Sequence, residues 1–227
     1  IGVVSASVAV LARMQVRLMR ALQNLLTLIA TGLLPLMAAL ALLFIGALPV
    51  MGFEAISARI SAAGLLTALA LLLLFLVTIV WHPQRQTLPY YALLNGMVRL
   101  AIAIVPAYPV LAGWALWLRI SQYGWSPERL YGVLITLVAL VWAVGFCISV
   151  VFCRRQAQKL QASVIPLTGL VALILLILIH TPVLDPWRIS VESHMSRYHD
   201  GRINADQVSL YMLSNSGRKG REAMQTL

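Results

Sequence analysis

The amino-acid sequence predicts an all-α fold: a polytopic integral membrane bundle of about five transmembrane helices, followed by a polar C-terminal tail of short helices. Two observations lead to this prediction. Hydrophobic residues make up 61% of the chain and charged residues only 11%, whereas a soluble domain carries roughly 25% charged residues. The apolar residues are also gathered into blocks of about 20, which matches the ~30 Å hydrocarbon core of a bilayer at ~1.5 Å rise per residue.

The N-terminal segment, residues 1–24, is predicted to be an apolar stub followed by a basic amphipathic lead-in. The stub is too short to cross a bilayer. A helix with a basic face of this kind lies at the membrane surface. The residues that share this face are spaced by three and four, and they are Arg13, Arg17, Arg20 and Asn24.

The transmembrane domain is predicted to cover residues 25–181. Pro35 lies inside the first span, where a neighbouring helix can satisfy the carbonyl that a proline leaves without a partner. Pro106 and Pro109 lie inside the third span and predict a kink or a locally unwound segment. The five predicted spans cover residues 25–48, 60–80, 98–118, 130–152 and 163–181.

The tail, residues 182–227, is predicted to form two or three short helices on or beside the membrane. Asp185-Pro186 is suited to the cap and first turn of its first helix, and Gly201 is the expected terminator. Asn204 begins a second cap-like pattern. Because the chain ends in what reads as an unfinished helix, we expect the tail to be truncated.

Lysine and arginine residues are distributed unevenly between the two sides of the predicted spans. The richer side should be cytoplasmic, since short cytoplasmic loops carry an excess of these residues. The tail then lies outside, which in a Gram-negative bacterium is the periplasm. The richer side holds Arg13, Arg17, Arg20, Arg85, Arg99, Arg154, Arg155 and Lys159, and the short loops of the other side hold Arg59, Arg119 and Arg129. The basic residues of the tail are balanced by its acidic residues and carry little weight.

Several function classes are disfavoured by the sequence. The net charge of +10 does not indicate nucleic-acid binding, because the basic residues sit mainly in short connectors and suit contacts with anionic lipids. No Asp or Glu falls inside a predicted span, which argues against an ion-coupled carrier within these helices. Neither a metal-ligand spacing nor a catalytic motif occurs, so we expect no metal, no cofactor and no enzyme activity.

The connector between the third and fourth spans, residues 119–131, is dense in aromatic, cationic and turn-forming residues. One interpretation is a rigid turn, in which Gly124 takes an unusual backbone angle and Ser126-Pro127 caps the next helix. The other interpretation is a binding site for a lipid headgroup or a partner. Arg119 and Arg129 would then donate hydrogen bonds to a phosphate.

Two segments of this sequence resemble a known family. The connector reads R-I-S-Q-Y-G-W-S-P-E-R-L-Y, and the tail contains P-W-R-I-S-V-E-S from Pro186 to Ser193, after the span that begins Val164-Ile165-Pro166-Leu167. These segments resemble the bacterial inner-membrane family known as domain of unknown function 4153. Its members carry a similar R-I-x-x-Y-G-x-T-x-x-R-Y connector and a similar G-P-W-x-x-x-x-V-S-x-x-S-Q segment.

The resemblance extends from about Arg13 onward and shows four departures. Thr is usual where this chain has Ser126, and an aromatic residue is usual where it has Leu130. A Gly and a Gln are usual at Asp185 and His194. These substitutions are mild for the fold. They matter more if the connector or the segment from Pro186 to Ser193 forms a functional site.

The resemblance implies a multi-span fold in a bacterial inner membrane, and it implies no particular reaction. We expect a non-enzymatic role in the cell envelope, with membrane lipids and an envelope protein as partners. The candidate residues for contact with a headgroup or a partner are Arg119, Tyr123, Gly124, Arg129, Tyr131, Trp187 and Ser193.

Two alternative functions stay open. The first is a permease or lipid-handling carrier, in which prolines break helices around a cavity; the prolines concerned are Pro35, Pro106, Pro109 and Pro166. The second is a membrane enzyme that acts on a phosphate-bearing lipid through Arg119, Arg129 and Tyr123.

Overall fold

The computed structural model describes residues 2–51, 62–81, 88–151, 157–181 and 184–200. Within these ranges the regular structure is helical and no β-strand occurs, which confirms the predicted all-α fold. The helices of these ranges are α1 (Gly2–Met51), α2 (Ala62–Val80), α3 (Ala92–Ile104), α4 (Ala107–Tyr123), α5 (Pro127–Val151), α6 (Ala157–Ile179) and α7 (Pro186–His199).

Five helical stretches of the described chain are long and apolar enough to cross a membrane. Many of their large apolar side chains are exposed at the outside of the bundle, where lipid chains can cover them. The protein is therefore a multi-pass membrane protein, as predicted. The five stretches are Arg17–Leu48, Ala63–Val80, Ala92–Tyr123, Pro127–Val151 and Lys159–Ile179.

The lead-in and the first span belong to one helix. α1 runs without a break for 50 residues, so it is continuous across residue 24, where the lead-in was expected to end. The side chains of Arg17 and Arg20 are exposed on it. A surface position for this part of α1 stays a prediction.

α5 lies at the centre of the bundle, in contact with α2, α3, α4, α6 and α7. α1 packs on α2 and α3, and α2 also packs on α4. The core between these helices is apolar and holds the fully buried side chains Leu34, Leu73, Leu74, Val98, Ile102, Tyr108 and Phe146.

Pro35 lies inside α1 and has no N–H to donate to the carbonyl of Thr31, four residues earlier. The Tyr90 hydroxyl donates to that carbonyl at 2.7 Å. Burial raises the pKa of Tyr90, because the charged form of its hydroxyl is poorly solvated there. A neighbouring segment therefore satisfies the carbonyl, as the sequence predicted.

The disruption expected in the third span lies at Val105-Pro106, between α3 and α4. Val105 N–H still donates to the Ala101 carbonyl at 2.9 Å, and the Val105 carbonyl accepts from Tyr108 N–H at 3.1 Å. The Tyr108 ring is 1% exposed, and its hydroxyl donates to the Ala41 carbonyl of α1. The break is thus packed into the core and bonded to a neighbouring helix.

The first helix of the tail, α7, begins as predicted. Asp185 Oδ1 accepts from Trp187 N–H at 3.0 Å, and Pro186 occupies the first helical position. The expected terminator Gly201 and the second predicted helix, from Asn204, lie outside the described residues.

Candidate functional site

The predicted connector, residues 119–131, comprises the end of α4, the three residues 124–126 and the start of α5. Hydrogen bonds join residues 124–126 to both helices. Gly124 N–H donates to the Ile120 carbonyl at 2.8 Å at the end of α4. At the start of α5, Ser126 Oγ accepts from Arg129 N–H at 3.4 Å, and the Ser126 carbonyl accepts from Leu130 N–H at 3.0 Å. The predicted cap by Ser126 is confirmed.

Gly124 has a backbone conformation that only glycine adopts without strain. Its φ is +81° and its ψ is −178°, a region that a residue with a Cβ atom avoids. A Cβ at this position would also lie 3.0 Å from Arg197 Nη1 and 3.2 Å from Ser193 Oγ. Both neighbours belong to α7, so the glycine allows α7 to approach the connector closely.

Two serines of α7 pair with both backbone groups of Trp125. Trp125 N–H donates to Ser193 Oγ at 3.1 Å, and Ser190 Oγ donates to the Trp125 carbonyl at 3.1 Å. Ser190 is 0% exposed, although 65 residues separate it from Trp125. The two segments that carry the family resemblance therefore contact each other.

Arg197 lies one turn beyond Ser193 and bonds the end of α4. Its Nη2 donates to the Ser121 carbonyl at 2.8 Å and to the Gln122 carbonyl at 2.9 Å. The last four carbonyls of an α-helix have no partner within the helix and carry partial negative charge. The guanidinium of Arg197 therefore stabilises the end of α4 and joins it to α7.

Arg129 turns back from the first turn of α5 onto the connector. Its Nη1 donates to the Gly124 carbonyl at 2.5 Å, and its Cζ lies 5.5 Å from the centre of the Tyr123 ring. This distance is within the range of a cation–π contact. Three of the predicted residues, Tyr123, Gly124 and Arg129, thus form one cluster, which Ser193 joins from α7.

The other predicted residues are placed differently. Tyr131 is 42% exposed on the first turns of α5, and Trp187 takes part through its backbone N–H in the cap of α7. Ser190 and Arg197 are not among the candidate residues predicted from the sequence. Their spacing with Ser193, three and then four residues, indicated a common helix face, but it did not indicate that this face meets the connector.

Beside the connector, α2, α4 and α5 enclose a groove with a volume of about 540 Å³. Arg119, the remaining predicted residue, lines it together with Arg129 and Glu128. At its interior the buried hydroxyls of Thr67 and Thr136 share a hydrogen bond of 3.1 Å. The rest of the lining is small or apolar and includes Ala63, Gly64, Ala68, Leu71, Leu116, Gly132 and Ile135.

The charged groups around Arg129 are Arg119, Arg197 and Glu128. Three guanidinium groups against one carboxylate make the immediate surroundings of Arg129 positive. Among the side chains that the structure describes, no three His, Cys, Asp or Glu residues lie close enough to hold one metal ion. The positive charge around Arg129 suits the binding of an anion.

Comparison with known proteins identifies the family. No curated protein and no solved structure matches the chain significantly. A family model with the description "Domain of unknown function (DUF4153)" matches residues 5–227. The matched region includes the connector, the groove and α7, and it confirms the resemblance seen in the sequence. The chain therefore belongs to the DUF4153 family.

Proposed function

We propose that the protein is a non-enzymatic protein of the bacterial inner membrane that binds a protein partner in the cell envelope. The proposed binding surface consists of the connector, residues 119–131, and α7, and we call it the platform. The observation that supports this proposal is the pairing of Trp125 with Ser190 and Ser193. It converts two segments that are distant in sequence into one surface of fixed shape.

The polar side chains of the platform support the backbone, which favours a binding role over catalysis. Ser193 Oγ accepts the Trp125 N–H, whereas a catalytic serine needs a neighbouring base that takes its proton. Arg197 donates to two carbonyls at the end of α4. These groups hold a surface in place.

The outer face of α7 offers polar groups to a partner. Arg188 and Glu192 form a salt bridge of 2.9 Å, and their side chains are 45% and 52% exposed. Such a pair adds little to the stability of the fold, but it suits the polar rim of a protein interface. Tyr123, at the edge of the connector, adds an exposed aromatic side chain.

The distribution of Lys and Arg supports a periplasmic position for the platform. Of the eleven Lys and Arg residues that lie outside the tail, eight belong to the opposite side of the bundle, and a positive excess marks the cytoplasmic side. A periplasmic platform would meet envelope proteins.

The alternative role as a carrier depends on prolines that open a cavity. The carbonyl released by Pro35 is paired with Tyr90, and beside Pro106 the Val105 and Tyr108 side chains are buried. This packing favours a structural role for both prolines. The same packing supports the platform as the functional site of the protein.

The test is co-purification of the full chain in several mild detergents, where we expect a stoichiometric protein partner. A variant with Ser193→Ala and Arg197→Ala should release α7 and lose most of that partner. The matched control is Arg20→Ala with Ser163→Ala, which changes an exposed arginine on α1 and an exposed serine on α6 and should keep the partner. The proposal would be contradicted if the protein purified without a partner in every detergent. It would also be contradicted if the Ser193→Ala and Arg197→Ala variant retained all of its partner.

A further inference from the structure

The groove between α2, α4 and α5 is built from one stripe of residues on each helix. On α5, Arg129, Gly132 and Thr136 follow at spacings of three and four, so they share a face. The stripe extends about 10 Å from the connector into the span at ~1.5 Å per residue. The groove thus begins at the arginines Arg119 and Arg129 and continues along helices that cross the membrane.

Small side chains leave the groove open. Gly64 and Ala68 of α2 and Gly132 of α5 line it, and none of them has a side chain larger than a methyl group. At Gly132 the wall is closed by α4, because a Cβ there would lie 3.3 Å from Leu116 Cδ2. Leu116 and Ile135 make the wall apolar, which suits a hydrocarbon chain.

The interior of the groove needs no polar partner from a ligand. Thr67 and Thr136 are its buried polar side chains, and their hydroxyls bond each other at 3.1 Å. A buried hydroxyl without a partner would be costly. Because these two are paired, an acyl chain can lie against them.

The end of the groove at the connector is suited to an anion. Arg119, Glu128 and Arg129 line this end of the groove, and the charges of Arg119 and Arg197 both repel the Arg129 guanidinium. Like charges at close range repel one another, so a bound anion would relieve this repulsion. Arg129 uses Nη1 for the Gly124 carbonyl, and a guanidinium carries five N–H donors in all.

We propose that this groove binds an anionic membrane phospholipid, with its phosphate at Arg119 and Arg129 and an acyl chain along Leu116 and Ile135. The combination of a positive end and an apolar wall matches an amphiphile, whereas free phosphate would use the positive end alone. Arginine is well suited to phosphate because its planar group donates two parallel hydrogen bonds. The proposal stands independently of a protein partner on the platform.

Native mass spectrometry of the full chain, released from detergent, tests this proposal with three probes. Phosphatidylglycerol should bind as a one-to-one complex. Diacylglycerol with the same acyl chains lacks the phosphate, and inorganic phosphate lacks the chains, so both should bind at least about tenfold more weakly, which corresponds to about 1.4 kcal/mol.

Two variants locate the site. Arg119→Gln removes one cation and should weaken phosphatidylglycerol binding by about tenfold, whereas Arg20→Gln, on an exposed site of α1, should not. Ala68→Leu fills the apolar part of the groove and should have a similar effect, whereas Ala162→Leu, on an exposed site of α6, should not. Thermal unfolding in detergent without lipid checks that each variant is folded.

Three results would overturn the proposal. Equal binding of diacylglycerol and phosphatidylglycerol would show that the phosphate is not recognised. Equal binding of inorganic phosphate would show that the acyl chain is not. Wild-type affinity in both Arg119→Gln and Ala68→Leu would show that the lipid binds elsewhere.

Discussion

At Gly124 the chain turns out of α4 with a φ of +81°, and Arg197 and Ser193 of α7 lie against the space that a Cβ would occupy. The same residue donates its N–H to Ile120 and accepts from Arg129 through its carbonyl. Glycine is therefore required at this position for two reasons: the backbone has a positive φ, and α7 approaches the connector closely. At the scale of single residues, this glycine controls the geometry of the platform.

Gly124→Ala should destabilise the protein and release α7. The strained backbone costs about 1–3 kcal/mol, and the added methyl group displaces Arg197 and Ser193. Thermal unfolding in detergent measures the first effect, and faster protease cleavage within α7 measures the second. Gly96→Ala is the control, because a Cβ at Gly96 meets no atom within 4 Å and alanine stabilises a helix by roughly 0.5–1 kcal/mol. Similar behaviour of the two variants would disprove the role given to Gly124.

At the scale of elements, a neighbouring segment compensates for three irregular positions in these helices. The carbonyl that Pro35 leaves in α1 accepts from Tyr90, in the segment before α3. The break before α4 is bonded to α1 through Tyr108. At Gly145 the absence of a side chain lets Val164 of α6 approach α5. Each of these three irregular positions therefore corresponds to a specific contact with another segment of the bundle.

The pairing of Pro35 with Tyr90 can be tested by a double-mutant cycle. Tyr90→Phe removes the donor to the Thr31 carbonyl and should cost about 1–3 kcal/mol, the penalty for an unsatisfied buried acceptor. In a Pro35→Ala background the N–H of residue 35 can donate to that carbonyl, so Tyr90→Phe should cost much less. Unfolding in detergent provides the four free energies. Additive effects would contradict the pairing.

A second prediction concerns the contact between α5 and α6. A Cβ on Gly145 would lie 2.5 Å from Val164 Cγ1, so Gly145→Ala should destabilise the protein by about 1–3 kcal/mol through overpacking. Val164→Ala removes both Cγ atoms and should restore part of that stability in the double variant.

The control for this contact is Gly169→Ala on α6, where a Cβ would meet no atom within 4 Å. Unfolding in detergent should show no loss of stability for this variant. If Val164→Ala gives no rescue, the loss at Gly145 has another cause than the clash.

For the whole molecule, the contact between α7 and the connector bears on topology. α5 and α6 separate the two segments along the chain, and both helices are long enough to cross a membrane. Two crossings return the chain to the side from which it started. The hydrogen bonds of Ser190 and Ser193 to Trp125 are consistent with this parity, and they support placing the connector and α7 on one face.

The proposed orientation predicts which positions a membrane-impermeant maleimide can reach in intact cells. After replacement of Cys147 and Cys153 by alanine, Glu192→Cys on the exposed face of α7 should be labelled from outside. Lys159→Cys, at the exposed start of α6, should be labelled only after the membrane is permeabilised. The reverse pattern would place the platform in the cytoplasm.

The sequence by itself determined the local features of this protein. Apolar blocks of bilayer length specify the helices that can cross a membrane, because each helix satisfies its own backbone hydrogen bonds. Ser126 and Asp185 mark helix starts through bonds to residues two or three positions away. Pro35 indicates that the carbonyl four residues earlier, that of Thr31, needs a hydrogen-bond donor from outside the helix. Each of these features depends on residues that are close together in the sequence, so periodicity and residue type are enough to predict it.

Only the tertiary structure decided which distant residues meet. The sequence did not show that Tyr90 would supply the donor for α1, or that the face of α7 with Arg197 would cover the end of α4. Nor did it show that Arg119 and Thr67 would line one groove. These contacts join residues far apart in the chain, and they depend on how the helices pack around α5. A helical period defines a face, but the identity of its neighbour follows from the packing of the whole bundle.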